Sequence, residues 1–131
     1  MAKSALCLEM LKIALSCSSF WNLNVIEPQA MKRIRITAVR KAHYQDLMDK
    51  YENPMENACN ISVGDVFIVQ DCRKPDGLCD SAWETLSPFV NALAQGGGSF
   101  YGNWMKNPHS AMVSCNDGFR PVSFLVEAME E

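Results

Sequence analysis

Lys32-Arg33-Ile34-Arg35-Ile36-Thr37-Ala38-Val39-Arg40 sets Ile34, Ile36 and Ala38 against Arg33, Arg35 and Thr37. That two-residue period belongs to a strand with one face buried and the other basic. Downstream the period changes. Over 42–51, Tyr44, Leu47, Met48 and Tyr51 recur at three- and four-residue intervals, predicting a short amphipathic helix that stops before Asn53-Pro54. Val63-Gly64-Asp65 is a turn signal and leads into Val66-Phe67-Ile68-Val69, a brief second strand. After Cys79, Ser81 and Glu84 fit a capping box, with Asp80 as an alternative cap, and Trp83, Leu86, Val90 and Leu93 form one apolar face. Pro88 predicts a kink, or a second start with Ser87 as cap, and Gly96-Gly97-Gly98 ends the helix. The loop 99–109 carries Phe100, Tyr101 and Trp104. Segments 111–115 and 122–129 then read as a hairpin about a tight turn containing Asp117-Gly118, the pair expected where two turn residues need positive φ. The order strand, helix, strand, helix, hairpin predicts an α+β fold: a small, largely antiparallel sheet with two helices and a C-terminal hairpin, its strand pairing left open.

Working upstream, 16–30 mixes Ser, Asn, Pro and isolated apolar residues without a period, so 1–30 reads as a leader or extension and 31–131 as one domain. With 131 residues, 48% hydrophobic and 21% charged, the chain has the composition of a single globular domain. A core this modest makes a homo-oligomer or protein partner a natural way to bury more surface. The formal charge of −3 excludes a nucleic-acid role of the usual kind, which draws on clustered Lys and Arg. No stretch reaches the roughly 20 apolar residues of a membrane span. Glu9 and Lys12 interrupt the apolar run 5–15, against a secretory signal, although Ala14-Leu15-Ser16-Cys17 is similar to a lipoprotein cleavage site. Six cysteines (Cys7, Cys17, Cys59, Cys72, Cys79, Cys115) are therefore expected as reduced thiols in a cytoplasm.

Cys79-Asp80-Ser81-Ala82-Trp83 and Cys115-Asn116-Asp117-Gly118-Phe119-Arg120-Pro121-Val122, separated by a Gly-rich loop, resemble an uncharacterised family of small proteins common in anaerobic bacteria and archaea. His43, Asp46 and Leu47, the isolated Cys59, and the Cys-x-x-Ala-Trp and Cys-x-Asp-Gly-x-Arg-Pro-Val motifs follow that family's order over 32–127. The resemblance implies that 1–30 lie outside the family domain. It brings no activity with it.

Each of these residues has a chemical and a structural reading. Cys79, just ahead of a helix, is placed for a stabilised thiolate, opposed by the charge of Asp80; a buried cysteine is also a common small filler. Cys59, Cys79 and Cys115, with Cys72, His43 or His109 as a fourth ligand, would suit zinc or iron, but their intervals match no common zinc module. Arg120 could clamp a carboxylate or phosphate, or tie its turn to Asp117 or Glu84. Trp83 and Trp104, with Phe100 and Tyr101, could wall a ligand pocket or fill core and interface. His43 could act as a base, or simply be solvated. Three functions follow: a binding domain with a thiolate site for a metal or redox partner, Arg120 and Asp117 orienting an anion; a cysteine enzyme with Cys79 as nucleophile, His43 as base and Arg120 as substrate clamp; or a structural or adaptor subunit using the basic face of Arg33 and Arg35 or the aromatic loop.

Overall fold

The structure is a computed structural model that describes residues 31–56 and 58–130. The expected leader 1–30, with Cys7 and Cys17, lies outside the described residues. The elements follow the order β1 (Ile34–Lys41), α1 (Gln45–Tyr51), β2 (Val66–Val69), α2 (Asp80–Ala94), β3 (Ser110–Ser114) and β4 (Val122–Ala128). The strands form one antiparallel sheet in the order β2-β1-β4-β3. This is the α+β architecture the sequence predicts, and it adds the pairing the sequence left open: β1, the first strand, is flanked by β2 and by the last strand.

Alternation explains which face is buried. Ile34, Ile36 and Ala38 of β1 stand on the same side as Val122, Phe124 and Val126 of β4 and Ala111 of β3, and all are buried. Against them α2 lays Ala82, Trp83, Leu86, Val90, Leu93 and Ala94, so helix and sheet share one apolar core. The other face carries Val66 and Ile68 of β2, Arg35 of β1 and Met112 of β3, all exposed. Arg35 is paired there with its cross-strand neighbour Glu127. A bulge between Ala38 and Arg40 leaves Val39 outside the regular pairing, and the strand continues to Lys41.

Four local expectations are corrected. The apolar face expected over 42–51 is not buried: α1 is seven residues long, and Tyr44, Leu47 and Tyr51 are exposed. It is attached to the molecule by its ends, through Tyr44 N–H to the Phe119 carbonyl and through Glu52. At the start of α2 no capping box forms, because the helix begins at Asp80 with Cys79 as N-cap, which puts Ser81 within the first turn. Asp80 instead meets Lys74. Of the two outcomes expected at Pro88, a kink or a second start, the second start is the one corrected: a single helix spans Asp80–Ala94, with Pro88 on its exposed side. Finally, neither Asp117 nor Gly118 has positive φ. Successive positive-φ residues occur instead at Asp71 and Cys72, in a turn closed by Arg73 N–H on the Gln70 carbonyl. The C-terminus of α2 is as expected: Gly96, at φ +91°, lets its N–H reach the Leu93 carbonyl and that of Gly97 the Ala92 carbonyl.

The two faces of the sheet predict opposite responses to truncation. Phe124→Ala should lower unfolding free energy by about 3–5 kcal/mol, and Met112→Ala on the open face should stay within about 0.5 kcal/mol. Urea denaturation of both variants checks the assignment; equal losses would contradict it.

Candidate functional site

Two places outside the core concentrate side chains with chemical potential: the β3–β4 connection with the end of α1, and the loop 95–109 that follows α2. In the first, Asp117 organises the backbone. Its Oδ1 accepts the N–H groups of Phe119 at 2.9 Å and Arg120 at 3.4 Å, so its carboxylate builds the turn. Its Oδ2 accepts Arg120 Nη1 at 2.8 Å, and Arg120 Nη2 donates to Glu52 Oε1. The three side chains are 12–24% exposed. Desolvation pushes the Asp117 carboxyl up, but the two backbone N–H groups and the Arg120 cation outweigh it and hold its pKa below the ordinary 3.8. The hydrogen bond to Glu52, opposed by desolvation and aided by Asp117, holds Arg120 more firmly cationic than usual. Both prongs of the guanidinium are thus engaged by carboxylates of this chain. Arg120 ties α1 to the β3–β4 connection, and Glu52, which the sequence reading did not single out, takes the place considered for Glu84. Nothing in the spacing of residues 52 and 120 could have revealed it.

The sulfur atoms lie in three unlike environments. Cys79 is exposed at the N-terminus of α2, its Sγ 3.7 Å from Ser81 Oγ. Cys59 is half-buried against the core. Cys115, 8% exposed, belongs to the core, and its Sγ accepts the Val122 N–H at 3.3 Å. Cys72 is buried and disulfide-bonded, which corrects the expectation of reduced thiols throughout; Cys59, Cys79 and Cys115 are the free cysteines among the described residues. Among the described residues no three His, Cys, Asp or Glu side chains gather as a metal shell. The common zinc or iron centre expected of Cys59, Cys79 and Cys115 is not assembled there. His43 is exposed, 2.7 Å from Gln45 Oε1, and Gln45 in turn donates to Asp49. Among the described residues no hydrogen bond joins the His43 side chain to Cys79 or Arg120, although the Ala42–Pro121 and Tyr44–Phe119 backbone bonds set His43 across from Arg120.

The second place is aromatic. Phe89 projects from α2 beside the core stripe and meets Phe100 edge-on, with ring centres 5.0 Å apart, and Trp104 at 6.5 Å. Trp104 in turn meets Tyr101 edge-to-face at 5.2 Å. Trp104 is 43% exposed and Tyr101 79% exposed. Two residues here, Ser99 and Tyr101, hold positive φ without being glycine, at +53° and +50°, a costly backbone state that persists only when its surroundings impose it. What imposes it is the closed base of the loop. Ser99 N–H reaches the Pro108 carbonyl at 2.7 Å, and a Cβ on Gly98 would stand 2.3 Å from that carbonyl oxygen. Trp83 does not contribute to this surface. It is 1% exposed in the core, and its indole N–H has no hydrogen-bond partner among the described residues.

No protein-family model matches the chain, and neither a curated protein nor a solved structure does. Function is therefore argued from the geometry. Among the described residues no helix is long and apolar enough to cross a membrane.

Two outcomes follow from these environments. Asp117→Ala should cost about 1–2 kcal/mol at neutral pH, the scale for losing a carboxylate that caps backbone N–H groups. Because the folded-state pKa is depressed, this stabilisation is present above 3.8 and is lost as pH falls through the lowered value. Denaturation curves of variant and wild type should therefore converge in acid; a constant gap would refute the assignment. Iodoacetamide on the native protein should label Cys79 before Cys59, and Cys115 only on unfolding, as peptide mapping over time will reveal.

Proposed function

We propose that this chain is a small binding module, an adaptor whose contact surface is the aromatic loop 95–109. The observation that carries the reading is Tyr101: a large aromatic side chain, 79% exposed, held at φ +50° against Trp104. A backbone state that disfavours folding and turns an aromatic ring toward water is unexpected of a purely structural loop, and is common where a surface is pre-organised for a partner. Tyr and Trp are the residue types enriched at the energetic centres of interfaces, since each offers a large rigid area with few torsions to freeze. The ring of Phe89 on α2 supports the loop from below, so the surface rests on a rigid element. With both prongs of Arg120 engaged, anion clamping has no support in the geometry.

A second reading, a thiol-dependent exchange with a redox partner, rests on Cys79 alone. Its support is the exposure of this free cysteine at the N-terminus of a 15-residue helix, where a partner can reach it. His43 and Arg120 do not complete that site, so the adaptor reading is preferred.

The loop reading is tested by Tyr101→Ala/Trp104→Ala, which removes exposed rings and leaves the core intact. The double variant should keep the wild-type melting temperature within a few degrees, yet lose the proteins that immobilised wild type retains from native extract. Identical retained sets on both columns would end the proposal, whereas loss of the same set with Cys79→Ser would favour the second reading.

A further inference from the structure

β2 ends the sheet on one side, and its four residues, Val66, Phe67, Ile68 and Val69, are all apolar. Edge strands of folded proteins usually carry a guard against pairing with another chain: a lysine, a proline, a bulge or a covering segment. The opposite edge has one, because the Thr85 hydroxyl of α2 donates to the Ser114 carbonyl of β3 at 2.8 Å. Between Val66 and Val69 there is no such residue, and among the described residues nothing pairs with the outer side of β2. Ala38 N–H donates to the Asp65 carbonyl, so ladder alternation turns the backbone groups of Phe67 and Val69 toward β1 and those of Val66 and Ile68 outward. The same two residues expose side chains on the open face, at 53% and 40%.

We propose that two copies of this chain pair antiparallel along β2, with the two-fold axis at Phe67, joining their sheets into one. Outward groups must meet outward groups, which leaves few registers. An axis at Phe67 sets Val66 against Ile68 of the partner subunit and lets both residues exchange backbone hydrogen bonds. It also places Asp65 opposite the partner's Val69 and Asp71 opposite the partner's Val63, so no carboxylate faces another. An axis at Ile68 would oppose Asp65 to Asp71, a like-charge pair. An axis at Val66 would spend Ile68 on Gly64, which sits at φ +97° where the ladder is already irregular. Electrostatics and hydrogen bonding therefore select one register. The paired area is small, so association belongs to the weak class and is sought between about 1 µM and 1 mM.

Sedimentation equilibrium of the full chain without reductant, its exposed thiol Cys79 alkylated beforehand and the Cys72 disulfide kept, tests this. Mean mass should climb with concentration from 14.6 kDa toward twice that value. Val66→Lys should weaken association by about tenfold or more, because the two-fold brings a charge into each half of the edge. Ile68→Glu, whose neighbour within its own sheet is Arg35, should weaken it as well. Combining V66K with I68E should restore the dimer at low salt, since this register sets the introduced lysine against the partner's introduced glutamate; thermal melts confirm that each variant is folded. A constant monomer mass, a dimer indifferent to V66K, or a V66K/I68E pair that fails to recover overturns the proposal. Loss of the dimer with Tyr101→Ala/Trp104→Ala instead would assign self-association to the aromatic loop.

Discussion

The ladder between β1 and β4 holds the first described strand to the last, and each further part of the sheet is attached to one of these two. β2 adds to the outer side of β1, β3 to the outer side of β4, and α2 closes over the apolar face they share. Closing a loop that long costs chain entropy before any neighbouring contact returns it. The inward row of Ile34, Ile36 and Ala38 beside Phe124 and Val126 offsets that cost, because each residue loses nearly all its solvent contact and a one-residue slip would turn the whole row outward.

Once that ladder is in place, the ends of its strands decide where chemistry can sit. Lys41 pairs with Val122, so the segments that follow β1 and precede β4 leave the sheet side by side. Ala42 and Tyr44 donate their N–H groups to the carbonyls of Pro121 and Phe119, and the Arg120 guanidinium joins Glu52 at the end of α1 to Asp117. A cation answered by two carboxylates fastens segments well and has little left to offer an outside anion. The loop 95–109 is built otherwise. Its base is closed by backbone contact at Gly98 and Pro108, leaving aromatic rings outward on a strained support. One connection is consumed by stability, and the other leaves Tyr101 and Trp104 exposed.

Much of the fold was legible because the signals were local. The span of β2 matches its apolar run residue for residue, and β1, β3 and β4 lie within two residues of the alternating stretches. The apolar stripe from Trp83 to Leu93 faces the core as its spacing requires. Where reading failed, a distant partner had overruled a local preference. The stripe Tyr44, Leu47 and Tyr51 has helical spacing, yet the helix is secured at its ends and its rings stay in water. Asp117-Gly118 has the composition of a two-residue turn, yet the Asp117 carboxylate builds a longer connection from the N–H groups of Phe119 and Arg120.

The candidate site was less legible than the fold for the same reason. The sequence by itself determined which residue types were at hand: six cysteines, one arginine beside a proline-flanked turn, and a glycine-rich loop with three aromatic residues. Alternation and helical period, which span a few residues, also determined the strands and the main helix. Only the tertiary structure decided that Arg120 is taken by Glu52, that Cys115 is core while Cys79 faces solvent, that Trp83 is interior and Trp104 is not, and that β2 forms an edge. Each of these depends on which distant segments become neighbours, and a period that repeats every two or four residues carries no information about a partner many tens of positions away.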